Sequence, residues 1–208
     1  MIKVKLRRGG PLYPRGIDTL QLSYRGPLPD DGQSMSLGQR EGIDGIFQVT
    51  LPAAIGLARK FSGDPRIVHL ARSIAHFCPD EDRACVIAKI HEYVSDRVRY
   101  QDDPTAVTFS KEFLYTPLKM LKIMAERGHV RADCEEIASL TGCLLVAGGV
   151  PAGFVVGKRT HRDGILLHVW ILAQGDYKGK RWIHSDPTHH VPLGRTSGKF
   201  EQYWFVPI

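Results

Sequence analysis

The sequence predicts an α+β fold, in which N-terminal helices pack on an antiparallel sheet. Two observations support this class. Apolar residues recur at three-and-four spacing from about residue 49 to residue 147, and from residue 153 onward they alternate at every second position. We therefore expect one domain over residues 49–208, preceded over residues 1–48 by an extended basic arm or strand pair.

The arm is the most basic part of the chain. Residues 1–26 contain six lysines and arginines and a single aspartate. Such charges usually lie on the solvated edge of a strand pair, although a basic arm can also bind nucleic acid or an acidic partner. No aromatic or helical element that could recognise nucleic-acid bases accompanies these charges, so we do not expect nucleic acid as a partner.

Capping signals and periodicity predict each element in order. We expect helices at 51–61, from Asp64-Pro65, from near Asp80, from Thr116-Pro117 to 127, and from Asp133 to the Gly148-Gly149 pair. Asp133 and Glu136 fit a capping box at the start of the last helix. Strands are expected at 153–157, 165–173, 181–185 and 203–206, joined by glycine-rich turns.

Composition restricts the environment and the cofactors. No run of about 18 apolar residues is present to span a membrane, and no apolar stretch follows the charged start as in a signal peptide. The four cysteines show no CxxC pair, so we expect neither a zinc site nor a cofactor, and we expect a reducing, cytoplasmic compartment. Cys78 and Cys85 could stack on one helix face.

Cys134 is the candidate nucleophile, because it would be the first residue of the helix that Asp133 caps. The helix N-terminus favours a thiolate, whereas the carboxylates of Asp133, Glu135 and Glu136 disfavour it. Cys134 is therefore as consistent with an inert thiol as with a reactive one, unless an imidazole lies beside it. Cys143 falls on the opposite side of the helix and is expected to be a core residue.

His168 and Asp186 could complete a catalytic site. His168 lies in a strand that is apolar on both faces, where a histidine is most often a hydrogen-bonded core residue. Asp186 opens the turn Asp-Pro-Thr, which alone is weak evidence. If the strands at 165–173 and 181–186 form a hairpin centred on residue 177, positions 168 and 186 lie opposite each other, and the carboxylate would orient the imidazole.

A second histidine cluster offers an alternative. His184, His189 and His190 could supply metal ligands, but no HExxH or Cys/His spacing accompanies them, so we expect no metal site. His91 and Glu92 are expected to form a solvated or capping pair on a helix.

These motifs resemble the transglutaminase-like superfamily, whose papain-like core carries a cysteine at a helix N-terminus, a histidine on the next strand and an aspartate on the one after. The matching text is Ala132-Asp-Cys-Glu-Glu-Ile-Ala, His168-Val-Trp and Trp182-Ile-His-Ser-Asp-Pro-Thr, within roughly residues 64–190. Pro117-Leu-Lys-Met-Leu and Asp133-Cys-Glu-Glu also look like motifs of transglutaminase-like proteins of tailed phages and prophages, with glutamates in place of aspartates.

The resemblance implies a cysteine protease or amidase, or an acyl transferase. Cys134 would be the nucleophile, His168 the general base and acid, and Asp186 the orienting carboxylate. The oxyanion would bind the backbone N–H of Cys134 and a donor from Tyr100 or Gln101. The partner would be a protein or peptide substrate, in the host cytoplasm or in the virion of a phage. The alternative is a catalytically silent virion or assembly protein that binds phage structural proteins through the same fold.

Overall fold

Five α-helices and nine strands occur in the residues that the computed structural model describes, which are 17–22, 24, 26–30, 33–37, 46–101, 112–161, 164–178 and 180–208. The helices are α1 (Leu51–Phe61), α2 (Pro65–Ala75), α3 (Arg83–Arg97), α4 (Pro117–Arg127) and α5 (Cys134–Ala147). The strands are β1 (Asp18–Thr19), β2 (Ser34–Leu37), β3 (Val98–Tyr100), β4 (Glu112–Tyr115), β5 (Val130–Ala132), β6 (Ala152–His161), β7 (Gly164–Gln174), β8 (Trp182–Ser185) and β9 (Gln202–Pro207). The predicted α+β class is confirmed.

The helices begin where their capping residues predict. Asp64 and Thr116 each accept a backbone N–H from the first turn of α2 and α4. The third helix begins a turn later than expected, because Asp82 rather than Asp80 is its cap. Gly128 ends α4 with a φ of 77°, a left-handed conformation that glycine adopts without steric cost. In the described part of the chain, no helix combines the length and the apolar character needed to cross a bilayer.

The main sheet has five strands in the order β1-β9-β6-β7-β8. Strands β9, β6, β7 and β8 pair in antiparallel fashion, as predicted, while the short β1 runs parallel to β9. Two small pairs were not predicted: β2 with β4, and β3 with β5. The parallel pair β3–β5 aligns Tyr100 with Ala132, which places the end of β3 beside the residues that lead into α5.

The two faces of β7 belong to different apolar clusters. Val169, Ile171 and Ala173 join the large cluster formed with the helices, whereas Trp170 and Leu172 join a smaller one on the other face. The small cluster also contains Val155, Phe200 and Phe205. Alternation along the strand therefore separates a helix-covered face from an aromatic face.

Helix α5 is the central element of the large cluster. All twelve residues from Cys134 to Leu145 are buried, and the other helices and the sheet surround them. Gly142 lies where a β-carbon would collide with Ile208 and press on Ile171. The absence of a side chain there lets the C-terminal half of the helix approach Ile171 of β7 and Ile208 closely.

A disulfide joins Cys78 and Cys85 across the connection between α2 and α3. The two cysteines are not on one helix face, because Cys78 lies beyond the end of α2 and Cys85 in the first turn of α3. Disulfides are more typical of oxidising compartments than of the cytoplasm. The compartment therefore stays a prediction, with this bridge as an observation against the reducing one.

The described part of the N-terminal segment packs against the domain. Leu20, Leu22, Met35 and Leu37 are buried members of the large cluster. Residues 1–16, which hold most of the predicted basic arm, lie outside the described residues. The boundary at residue 48 stays a prediction.

Candidate active site

Cys134 is the first residue of α5, and a capping box holds the turn that carries it. The Asp133 carboxylate accepts the Glu136 N–H at 3.1 Å, and the Glu136 carboxylate accepts the Asp133 N–H at 3.2 Å. The second Glu136 oxygen accepts the backbone N–H of Tyr115 at 2.6 Å. The sequence predicts both the capping box and the position of Cys134 at the helix start, and both are present.

The Cys134 thiol is buried and faces a carboxylate. Its side chain is 8% exposed, and Sγ donates a hydrogen bond to Glu135 Oε2 at 2.9 Å. Burial raises the pKa of the thiol well above its usual range, and the charges of Glu135 and Asp133 raise the pKa further. The backbone N–H of Val169 also bonds to the sulfur and acts in the opposite direction. The resting residue is therefore a protonated thiol rather than a thiolate.

His168 and Asp186 form a buried pair at the end of the sheet. His168 Nε2 lies 2.9 Å from Asp186 Oδ2, and Asp186 is fully buried. The same oxygen accepts the backbone N–H of Ser197 at 2.8 Å, and the other accepts the hydroxyl of Thr188. Burial acts to raise the pKa of Asp186, but the hydrogen bond and charge of His168 and the two further donors outweigh it, so the pKa is lowered.

An ionised Asp186 sets the tautomer of His168. Because the carboxylate only accepts, Nε2 must carry the proton and donate it, which leaves Nδ1 as the basic nitrogen. The ring stacks between Trp170 and Phe200, with centroids 5.6 and 5.8 Å away. Packing and hydrogen bonding thus fix both the orientation and the proton position of the imidazole.

The register of the hairpin differs by two residues from the expected one. Ile171 pairs with Ser185, so Asp186 continues opposite Trp170 rather than opposite His168. A shift of two keeps every side chain on its face, and the contact between His168 and Asp186 forms diagonally. The backbone N–H of Gly175 donates to the carbonyl of Arg181 at 2.8 Å, so the pairing continues into the loop in the observed register rather than in the one centred on residue 177.

Cys134 does not reach His168 in this arrangement. Among the hydrogen bonds of the described residues, none joins the Cys134 sulfur to the imidazole. The sulfur instead meets the N–H of Val169, the next residue along β7. Cys134 belongs to the helix-side cluster, whereas the His168 ring stacks on the aromatic face. Strand β8 ends at Ser185, so β7 has no β8 partner at residues 168–169.

The two residues expected to assist the oxyanion lie beside the start of α5. The backbone N–H of Gln101 donates to the carbonyl of Ala132 at 3.0 Å, so only its side-chain amide can act as a donor. The Tyr100 ring contacts the ring of His189, with centroids 4.1 Å apart. A cavity of about 700 Å³ opens on this side, lined by Gln101, Tyr115 and Asp133 among others. Gln101 therefore lines a cavity beside the start of α5, and the Tyr100 ring packs on His189.

The other histidines are separated by individual partners. His184 Nδ1 accepts the indole N–H of Trp170 at 2.9 Å, and His190 bonds to Ser95. In the described ranges, no group of three His, Cys, Asp or Glu side chains is arranged to hold a metal ion. The expectation of a solvated His91 was wrong, because His91 is buried and bonds to Ser185 and to the carbonyl of Val191.

Four residues of the site were not singled out as site residues. Thr188 and Trp170 stood within the quoted motifs, but nothing marked their side chains as partners of Asp186 and His168. Ser197 and Phe200 lie in a loop of ordinary composition, and no local pattern places them over the imidazole.

The fold has a papain-like arrangement of helices and sheet, in which Cys134 begins α5 and His168 bonds to Asp186. The model of the transglutaminase-like superfamily matches residues 69–187, more than half of the chain and including Cys134, His168 and Asp186. The chain belongs to this superfamily.

Solved structures with the same fold are distant. A candidate cysteine protease from Cytophaga hutchinsonii is 19% identical, with a TM-score of 0.44 over 68% of this chain and 45% of the other. A candidate protease from Parabacteroides distasonis ATCC 8503 is 14% identical, with a TM-score of 0.44 over 87% and 35%. A TGase is 17% identical, with a TM-score of 0.40 over 72% and 35%. The chain spans less than half the length of each, and no curated protein matches it.

Proposed function

We propose that the chain is a cysteine-nucleophile enzyme that hydrolyses amide or peptide bonds or transfers their acyl group. Cys134 would be the nucleophile, His168 the general base and acid, and Asp186 the orienting carboxylate. The observation that carries the proposal is the bond between His168 Nε2 and the fully buried Asp186. A carboxylate with three donors around it is arranged to hold an imidazole in one tautomer.

The reaction follows from the free nitrogen of that imidazole. His168 Nδ1 takes the proton of the Cys134 thiol, and the sulfur adds to the substrate carbonyl. The oxyanion that forms lies at the N-terminus of α5, where the first N–H groups have no intrahelical acceptor. The imidazolium then gives its proton to the leaving amine as the C–N bond breaks, leaving a thioester. Water or an amine attacks the thioester with His168 again as base, which releases the product and restores the thiol.

Hydrolysis is the expected outcome rather than crosslinking. The described residues beside the start of α5 give no indication of a site that would select a primary amine over water. Either outcome requires that the sulfur turn from Glu135 toward His168, since a thiol has only one proton to donate.

A direct assay separates these possibilities. The purified chain is incubated with a peptide library, with and without a labelled primary amine, and products are read by mass spectrometry. New N-termini indicate hydrolysis, and incorporated label indicates acyl transfer. Both should be lost in Cys134→Ala and retained in Cys143→Ala, the matched control for a buried thiol of the same helix. Turnover that persists in Cys134→Ala would overturn the proposal.

The second candidate is a catalytically silent scaffold, and one observation favours it. The sulfur is buried, bonded to a carboxylate, and without a hydrogen bond to His168. A phage virion or assembly role would rest on the residue motifs alone, because the three solved structures named above are described as two candidate proteases and a TGase. The scaffold predicts that a thiol-alkylating probe labels Cys134 no faster than Cys143 in the folded chain.

A further inference from the structure

The contact between Cys134 and Glu135 is the strongest polar interaction of the candidate nucleophile. Both side chains are 8% exposed, and the thiol donates to the carboxylate at 2.9 Å. A hydrogen bond to a charged acceptor in a buried site is strong, and it uses the only proton that the thiol has. While this bond exists, the thiol cannot donate to His168.

The position of Glu135 is unusual for an acidic residue in a first helical turn. Such residues favour the positive end of the helix and normally lie in water. Glu135 is buried instead, and it is not needed for capping, because Asp133 and Glu136 complete the capping box. Among the described residues, the one side-chain hydrogen bond of Glu135 is that to Cys134. A buried carboxylate with this single partner is placed to act on the sulfur.

Other charged groups nearby act in a different way. Asp133 raises the pKa of the thiol through its charge without contacting the sulfur, and Glu136 is occupied by backbone N–H groups of Asp133 and Tyr115. On the sheet side, the backbone N–H of Val169 bonds to the sulfur, and the neighbouring residue His168 is paired with Asp186. Only Glu135 combines a negative charge with direct contact to the thiol.

We propose that Glu135 is a positioning residue that holds Cys134 as a neutral thiol turned away from His168, so that the resting site is inactive until this contact is broken. We call this contact between Glu135 and Cys134 the lock. The inference rests on the proposed function, because the lock affects activity only if Cys134 is reactive. Breaking the contact frees the thiol to give its proton to His168 Nδ1. This proton transfer needs no other reactant and leaves a thiolate beside an imidazolium.

The test is the pH dependence of Cys134 alkylation by iodoacetamide, measured on the folded chain by mass spectrometry of the Cys134 peptide. Glu135→Gln removes the charge at constant size and should lower the midpoint of the profile by about one pH unit or more, which makes labelling at pH 7 about tenfold faster. Glu136→Gln is the matched control, because glutamine also serves in a capping box and the Glu136 carboxylate accepts the backbone N–H groups of Asp133 and Tyr115. Its midpoint should stay near that of the wild type.

The results distinguish the two proposals. A midpoint in Glu135→Gln equal to that in Glu136→Gln would overturn the lock. His168→Ala, combined with Glu135→Gln, should raise the midpoint again; if it does not, Glu135 still raises the pKa of the thiol, but the assignment of His168 as the base fails, and the lock fails with it. Should Glu135→Gln not fold, Glu135→Asp shortens the side chain and breaks the contact with the charge retained. A smaller downward shift is then expected, and no shift would overturn the lock.

Discussion

The buried carboxylate of Asp186 determines what the imidazole of His168 can do. An asparagine at this position would present an amide N–H as readily as an oxygen, and the ring would no longer be held with its proton on Nε2. The hydrogen bonds from Thr188 and Ser197 suit a carboxylate, so the neutral amide also loses their support.

We therefore expect Asp186→Asn to lower the turnover of a cleaved peptide by about 10⁴-fold, the size seen when the orienting carboxylate of a triad is replaced. The measurement is kcat/KM on a peptide found in the library assay. Thr188→Val, which removes one donor and keeps the carboxylate, should have a much smaller effect. Equal losses in the two variants would show that Asp186 acts only through packing.

Two histidines, the buried His91 on α3 and the half-buried His184 on β8, make stability depend on pH. Burial lowers the pKa of both His91 and His184 below the ordinary value of 6.5, against the opposing influence of Asp186. The unfolded chain then binds more protons than the folded one between the lowered pKa and about 6.5. Stability should rise with pH through this window and level off above it.

The free energy of unfolding, measured with urea at a series of pH values, tests this dependence. His91→Gln should flatten the slope below about pH 6.5, because the group that gains a proton on unfolding is gone. His69→Gln, at an exposed position of α2, should leave the slope unchanged. A separate loss is expected in acid, below about pH 4, as the lowered pKa of Asp186 is passed and its carboxylate becomes protonated.

At the residue scale, the sequence predicts roles better than contacts. The helix start at Cys134 follows from Asp133 and Glu136, because capping is local. The contact of Cys134 with Glu135 was not predictable, since a residue at the second helical position is expected in solvent. The nucleophile hypothesis depended on a contact between Cys134 and His168; among the hydrogen bonds of the described residues that contact is absent, and the thiol bonds to Glu135.

At the element scale, caps, prolines and alternation predict helices and strands, because these elements are determined by residues close together in the chain. The start of α1 matches its first-turn proline, the start of α4 matches its Thr116 cap and proline, and the long strands match their alternation. The pairs β2–β4 and β3–β5 are short and join segments far apart in the chain, so no periodicity marks them. The predicted register of the β7–β8 hairpin was wrong by two residues, because turn geometry rather than symmetry about the loop sets the register.

The disulfide between Cys78 and Cys85 gives a prediction about the helical layer. It closes a short loop between α2 and α3, and a bridge over so few residues contributes about 2 kcal/mol by restricting the unfolded chain. Replacing both cysteines by serine should lower the free energy of unfolding by about this amount. Reducing the wild type should have the same effect, and reducing the double variant should have none. Unchanged stability in both experiments would indicate that the bridge does not form in solution.

On the scale of the whole molecule, the N-terminal segment decides whether residues 49–208 are a domain by themselves. Strand β1 extends the main sheet beside β9, and β2 pairs with β4, whose end carries the Tyr115 N–H that Glu136 accepts. Leu20, Leu22, Met35 and Leu37 are buried in the same cluster as α5. The segment therefore contributes to the core that holds the start of α5 in place.

Deletion of residues 1–48 should consequently prevent folding rather than release a stable enzyme. Each of the four buried side chains is worth about 1.5–3 kcal/mol, and their sum approaches or exceeds the 5–15 kcal/mol, roughly, by which domains are stable. Circular dichroism and urea unfolding of the truncated chain test this directly. As a matched pair in the full chain, Leu22→Ala should cost about 2–5 kcal/mol and the exposed Gln21→Ala almost nothing. A truncated chain that unfolds cooperatively with wild-type stability would instead make the first 48 residues an appendage, and the site would then depend on α5 and the sheet alone.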